Sequence, residues 1–285
     1  MKLSKDRVMA IIKAALKEDL GRGDITTASV VDKFVSTRAA IVTNEDCIVC
    51  GLEIAEWIMA QVDYSVRFKP NCKDSDLVGS GKDIAFIEGR ASSILRAERT
   101  MINFVSFLSG VSTVTKKFVD KAKPYGVKIM DTRKTIPLLR YLEKYAVSVG
   151  GGTNHRMGLY DQVLIKDNHL AVAAKANITI GEAIRTARRK NLKGTVVEVE
   201  VKSLHEFEAA LAAKPDIIML DNMNPEDVLS CTEMRKLSRS KPLLEVSGGI
   251  NLDTIVDYAK TKVDAISVGA ITSSLEPIDM SLDMA

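Results

Sequence analysis

Six short apolar runs recur in the second part of the chain, each followed by an amphipathic stretch, and this alternation limits the folds open to it. The runs are VKIM (127–130), QVLI (162–165), VVEVEV (196–201), DIIML (216–220), LLEVS (243–247) and AISVG (265–269). Helical periodicity fills the intervals in IGEAIRTARRK, SLHEFEAALAA, PEDVLSCTEMRKL and LDTIVDYAK. Strands alternating with helices predict a parallel sheet, and strands covered on both faces read as apolar runs. The runs end in polar or glycine-rich segments: Asp131-Thr-Arg-Lys-Thr135, Lys166-Asp-Asn-His169, Asp221-Asn222, Ser247-Gly-Gly249 and Gly269-Ala270, with Glu198 and Glu200 inside the third run. One or two such residues would pass as helix caps. A lysine, two acids and two glycine turns at the same end of successive strands point instead to the rim where α/β barrels build their active sites.

The first part has a different texture. Ser4 is placed to cap a helix whose apolar face is Val8, Ile11, Ile12, Ala15 and Leu16, ended by the turn signal at 21–27. Residues 36–90 read as short strands with one helical stretch near Ala55–Met59. A long helix starts at Ser92 or Ser93, buries Ile94, Ala97, Met101, Ile102, Val105 and Leu108, and is expected to stop at Gly110. Arg96 and Arg99 lie on it, with Arg99 on a partly polar face.

Composition narrows the function classes. With 285 residues, 46% hydrophobic, the chain can bury a full core. Forty basic against 37 acidic residues leave +3, too balanced for nucleic-acid binding by bulk charge, so local clustering of the basic residues matters more. The N-terminal segment has charges every few residues and lacks a signal-peptide pattern, and no apolar run approaches a membrane span, so a soluble cytoplasmic protein is expected. Cys47 and Cys50 form a C-x-x-C with no second pair and no histidine cluster beside it. It falls in a strand-and-turn pattern, so two small core residues in a reducing compartment are expected rather than zinc or redox chemistry.

The chemistry-bearing residues are unevenly distributed. Region 131–169 holds Arg133, Lys134, Arg140, Lys144, His155, Arg156 and Lys166, around the segment GGGTNHR (150–156). Arg140 and Lys144 fit a solvated helix face, paired with Glu143 or water. Arg133 and Lys134 directly follow a buried strand, and Lys166 follows VLI, where an ammonium needs a counter-charge such as a bound anion. Glu198 and Glu200 share one strand face, and Asp221 ends the next strand. Carboxylates there suit a divalent cation, sugar hydroxyls or positive charge developing at a carbon, or simply neutralise nearby cations; for Glu198 both remain open. The glycine turns at 247–249 and 269 offer backbone N–H groups to a phosphate, helped by the N-terminus of the next helix. There is no G-x-x-x-x-G-K-[ST] and no G-x-G-x-x-G fingerprint.

The segments EDLGRGDITT (18–27), ERTMINFVSFLSGVST (98–113), MDTRKTIPLLRYLEKYAVSVGGGTNHRMGLYDQVLIKDNH (130–169), VEVEV (197–201), MLDN (219–222), EVSGGI (245–250) and ISVGAIT (266–272) together resemble the quinolinate phosphoribosyltransferase family. The resemblance implies an incomplete, six-stranded α/β barrel at 111–270 and an N-terminal α/β sandwich domain at 1–110, with the tail at about 271–285 packing back on the latter. It implies transfer of phosphoribose from phosphoribosyl pyrophosphate to quinolinate with Mg²⁺, giving nicotinate mononucleotide, pyrophosphate and CO₂ in NAD synthesis. It further implies a homodimer or higher assembly in which Arg99 reaches the site from a neighbouring subunit. By motif, Arg133, His155, Arg156 and Lys166 would hold the quinolinate carboxylates and Lys134 the substrate phosphates. Glu200 and Asp221 would face the ribose and the metal-bearing pyrophosphate, and Ser247, Gly248, Gly249 and Gly269 would hold the 5′-phosphate. The chain departs from the family at Ile136 and Leu138, where Thr and Gly are common, so altered loop packing with retained chemistry is expected. The rival functions are a Schiff-base lyase using Lys166, a phosphoribosyltransferase relative associated with molybdenum transport, and a non-enzymatic anion-binding scaffold.

Overall fold

A computed structural model describes residues 1–274 and 276–284. The chain divides into two compact units. One comprises residues 1–116, 136–151 and 275–285, the other 117–135 and 152–274.

The first unit opens with α1 (Lys5–Leu20), which buries Val8, Ile12 and Leu16 as the helical spacing predicts. Ser4 precedes it without a side-chain cap bond. The expected turn contains a short helix, α2 (Ile25–Val30), because Asp24 caps it by accepting from the Thr27 N–H at 2.9 Å. Beyond it lie β1 (Ser36–Thr43), β2 (Cys47–Ile48), α3 (Leu52–Val62), β3 (Arg67–Pro70), β4 (Leu77–Val78) and β5 (Lys82–Arg90). β5 lies between β1 and β3, antiparallel to both. Cys47 and Cys50 are buried free thiols, and burial raises both above the ordinary cysteine range, Cys50 strongly. Thiolate chemistry is disfavoured there, and the pair serves packing.

The long helix α4 (Ala91–Ala122) buries the predicted side in full, from Ile94 to Leu108. It does not stop at Gly110. A Cβ at that glycine would lie 2.5 Å from the carbonyl oxygen of Glu276, so the residue gives passage to the neighbouring backbone instead of ending the helix. α5 (Arg140–Val149) also belongs to this unit, and it corrects the solvated-helix expectation: Glu143 and Lys144 are both fully buried. Glu143 accepts from the Ile136 N–H at 3.0 Å, which closes the preceding loop. In that loop Leu138 is 88% exposed and sits at φ 69°, backbone that favours glycine.

The second unit contains the six predicted strands: β6 (Lys128–Met130), β7 (Val163–Ile165), β8 (Val197–Val201), β9 (Ile217–Asp221), β10 (Leu243–Ser247) and β11 (Ala265–Ser267). Between and after them run α6 (Asp167–Ala174), α7 (Ile180–Lys190), α8 (Leu204–Ala213), α9 (Pro225–Leu237), α10 (Ile255–Lys260) and the single turn α11 (Ala270–Ser273). The strands form one parallel sheet in the order β6-β11-β10-β9-β8-β7, an incomplete α/β barrel whose seam falls between β6 and β7. Val197, Val199 and Val201 take one face of β8 and Glu198 and Glu200 the other. Register places Glu198 beside Ile217, Glu200 beside Met219, Met219 beside Glu245 and Asp221 beside Ser247, so these residues share a face. The chain ends in β12 (Met280–Met284), which returns to the first unit and pairs antiparallel with β1, completing a four-stranded sheet in the order β12-β1-β5-β3.

Candidate active site

A cavity of about 640 Å³ lies within the second unit, walled by the residues that end its parallel strands. Thr132, Arg133 and Lys134 follow β6, and Lys166 follows β7. Glu200, Asp221 and Ser247 come from β8, β9 and β10, with Gly248, Gly249 and Gly269 in the turns beyond. His155 and Arg156 complete the wall. Arg99 is the one expected site residue elsewhere: it is an exposed residue of α4 in the other unit and does not line this cavity.

Local structure explains how the cations are held. Thr153 bridges to Met130, extending the segment after the glycines alongside β6. Buried Asp131 then accepts from the His155 N–H at 2.8 Å and the Asn154 side chain at 2.7 Å, fixing the loop that carries Arg156. Arg156 is buried and donates to the Gln162 carbonyl at 3.1 Å. Burial, and next the Arg133 charge, hold its guanidinium below the ordinary arginine value. Two arginines close enough to disfavour one another form a pocket wall that an anion would stabilise.

The acids sit opposite. Lys166 Nζ lies 2.9 Å from Glu200 Oε2. Asp221 accepts from the Asn222 side chain at 2.8 Å, and its carboxyl is raised by burial and then by the Glu200 charge. His155 lines the cavity, while both its ring nitrogens face protein atoms. Nδ1 accepts from the Arg156 N–H at 2.7 Å, and Nε2 lies 3.3 Å from Glu198 Oε2. A direct hold on a carboxylate by His155 requires one of these bonds to open.

The glycine turns are shaped by close approach. Gly248 has φ 99°, and a Cβ there would come within 2.9 Å of the Asn222 backbone nitrogen. Gly269 leaves room for the Lys134 stem, whose Cδ would be 3.1 Å from an added Cβ. No helix starts at the first turn: α10 begins only at Ile255. Backbone groups of the loop itself, rather than a helix terminus, therefore form this part of the wall. Sequence reasoning assigned no role to Thr132, Asn222, Ser267 and Ser273, which also line the cavity. Small polar residues at strand ends and in short turns look like ordinary loop and cap residues, and only Asn222, directly after Asp221, carried a local signal; the structure holds it at φ 55°.

Comparison with known proteins places this architecture. Residues 24–109 match the N-terminal domain of quinolinate phosphoribosyl transferase and residues 111–283 its C-terminal domain. The chain belongs to the quinolinate phosphoribosyltransferase family. A relative from Methanocaldococcus jannaschii, described as a probable nicotinate-nucleotide pyrophosphorylase (carboxylating), is 42% identical over 98% of each chain. The nicotinate-nucleotide pyrophosphorylase (carboxylating) of Mycobacterium leprae is 38% identical over 98% of each. The solved nicotinate-nucleotide pyrophosphorylase from Francisella tularensis superimposes with a TM-score of 0.93 at 42% identity, covering all of this chain and 98% of that one. Membership makes this chain a pentosyltransferase and accounts for an incomplete barrel accompanied by a separate antiparallel-sheet unit. Among the described residues, no helix is long and apolar enough to cross a membrane.

Proposed function

We propose that the barrel cavity is where this phosphoribosyltransferase joins quinolinate to phosphoribosyl pyrophosphate, forming nicotinate mononucleotide, pyrophosphate and CO₂. The observation that carries the assignment is convergence. Arg133, Arg156 and Lys166 meet Glu200, Asp221 and the Ser247–Gly249 turn around one cavity of about 640 Å³, although the sequence scatters them from 133 to 249. Both substrates are polyanions and repel each other, so a cationic wall is needed to gather them.

Arg133, Arg156 and Lys166 hold the quinolinate carboxylates, with His155 beside them. Lys134 meets phosphate, and Ser247, Gly248, Gly249 and Gly269 cradle the 5′-phosphate. Glu200 and Asp221 face the ribose, where departure of pyrophosphate leaves positive charge on carbon. The pyridine nitrogen attacks that carbon, and the ring cation so formed eases loss of the adjacent carboxylate as CO₂, the electron pair left on the ring carbon taking a proton from water. Fixing both partners in reacting geometry lowers the barrier by roughly 7–11 kcal/mol. The residues also fit Mg²⁺ brought with the pyrophosphate. Asp221 is raised by burial beside Glu200, so a divalent cation near the two carboxylates would relieve their repulsion, and Mg²⁺ would neutralise charge on the leaving group. A Schiff-base role for Lys166 is less favoured, because that chemistry needs a neutral amine and this ammonium is paired with Glu200.

The working form is a homodimer or higher assembly, with Arg99 supplied to the neighbouring site. An apolar hollow of about 720 Å³ in the first unit, lined by Ile11, Phe104, Phe107, Ile136 and Leu139 among others, supports association of that face. Buried free thiols suit a cytoplasmic setting. Incubating the protein with Mg²⁺, quinolinate and phosphoribosyl pyrophosphate should give nicotinate mononucleotide and CO₂. Equal use of nicotinate would overturn the need for a second carboxylate.

A further inference from the structure

Behind the cavity wall lies a cluster of charge that contact with substrate does not explain. Glu198 of β8 and Glu245 of β10 are 0% and 1% exposed, and both face the barrel interior on either side of β9. Neither lines the cavity. Nε2 of His155 lies 3.3 Å from Glu198 Oε2 and 3.5 Å from Glu245 Oε1. Glu198 Oε2 also accepts from the Gln162 side chain at 2.5 Å, and the Gln162 carbonyl accepts from Arg156. Glu198 Oε1 and both oxygens of Glu245 are buried with no hydrogen bond of normal geometry among the described residues. Two acids in an interior that ought to be apolar carry a large desolvation cost, so their presence asks for a role.

The histidine tautomer limits what that role can be. Nδ1 accepts from the Arg156 N–H, so it carries no proton, and the neutral ring bears its proton on Nε2, aimed at the two carboxylates. A cation at the cluster is geometrically conceivable, since the candidate ligand atoms of His155, Glu198 and Glu245 lie within 4.8 Å of one another. Coordination through Nε2 would move the proton to Nδ1, where the Arg156 N–H already points. The arrangement is therefore built for a proton rather than a metal.

We propose that Glu198 and Glu245 are positioning residues: a buried carboxylate pair in which Glu198 receives the Nε2–H of His155 and, through Gln162, steadies Arg156 in the quinolinate wall. This rests on the assignment of that wall made above. The groups facing Glu245 are Glu198, His155, Ser267 and Asp131. Burial first, and then the Glu198 charge, push its carboxyl up, while His155 and the Ser267 hydroxyl oppose the shift. A proton shared between the two acids lets them occupy the same interior, and leaves Glu198 Oε2 as the acceptor for His155 and Gln162.

The chain has three histidines, His155, His169 and His205, so long-range ¹⁵N–¹H spectra of the intact protein can read each tautomer, with His155→Gln assigning the signals. At neutral pH and without substrate, His155 should be neutral with its proton on Nε2. An Nδ1–H tautomer, as a cation at Nε2 would require, or an imidazolium overturns the proposal, whatever the substrate proves to be. The kinetic arm is Glu198→Met, which keeps length and removes the acceptor of His155 and Gln162. It should raise KM for quinolinate about tenfold, the loss expected for a disturbed charged hydrogen bond, and leave KM for phosphoribosyl pyrophosphate within about twofold. Glu198→Gln, which retains an acceptor oxygen, should restore quinolinate KM most of the way. A merely structural role would weaken both substrates alike and give no rescue, and that result refutes it. Should Glu198→Met fail to fold, the wild-type tautomer decides.

Discussion

Replacing Arg156 by alanine isolates the interaction on which the quinolinate wall depends. The guanidinium is buried, is held below its ordinary value by burial and by Arg133, and donates to the Gln162 carbonyl at 3.1 Å. Its removal takes away a charge-assisted contact to a carboxylate, about 1.5–3 kcal/mol. At about 1.4 kcal/mol per decade, the KM for quinolinate should rise roughly ten- to a hundredfold. The fold should lose little. Gln162 gives up one hydrogen bond, about 1 kcal/mol, while the repulsion from Arg133 is relieved. Arg156→Lys keeps the charge without the planar fork and should fall between the two. The assay is CO₂ release with each substrate varied at saturating levels of the other, alongside thermal unfolding. An unchanged quinolinate KM, or an equal rise for both substrates, would refute the assignment of this side chain.

Glu200→Gln should chiefly lower kcat, because the lost charge acts on the ribose as pyrophosphate leaves; an effect confined to KM would make Glu200 a binding residue only. Leu138→Gly should stabilise the protein by roughly 0.5–1 kcal/mol, since an exposed leucine at φ 69° carries backbone strain that exceeds the entropic cost of glycine. A lower unfolding midpoint would show that the side chain packs in solution. Glu245 predicts a pH signature. Its folded carboxyl is raised to about 7, so the folded state holds a proton that the unfolded state has released, and stability should decline as pH rises from the ordinary glutamate range towards about 7. Glu245→Gln should flatten that decline in chemical denaturation; an unaltered slope counts against a raised Glu245.

The barrel was legible because its strands are buried on both faces and must be apolar, and each of the six runs became a strand of the one parallel sheet. The cations and acids after those runs were legible for a related reason: polar residues directly after buried strands are costly unless they are used. The order of the strands was not. β6 and β7, consecutive along the chain, became opposite edges of the sheet, and apolar periodicity carries no information about neighbours. Gly110 was misread because a glycine that ends a helix and one that admits a passing backbone are identical in sequence, and the Glu276 carbonyl lies more than 160 residues away. Lys144 looked solvated because charge pattern reports the cost of burial and not its compensation.

The sequence alone therefore determined the elements, the rim on which chemistry is mounted and the kinds of charge placed there, since these follow from local burial and periodicity. Only the tertiary structure decided which charges meet. It gave Glu245, unmarked inside an apolar run, its place opposite Glu198 and His155, because proximity across a barrel is set by register and curvature, which no stretch of chain contains by itself.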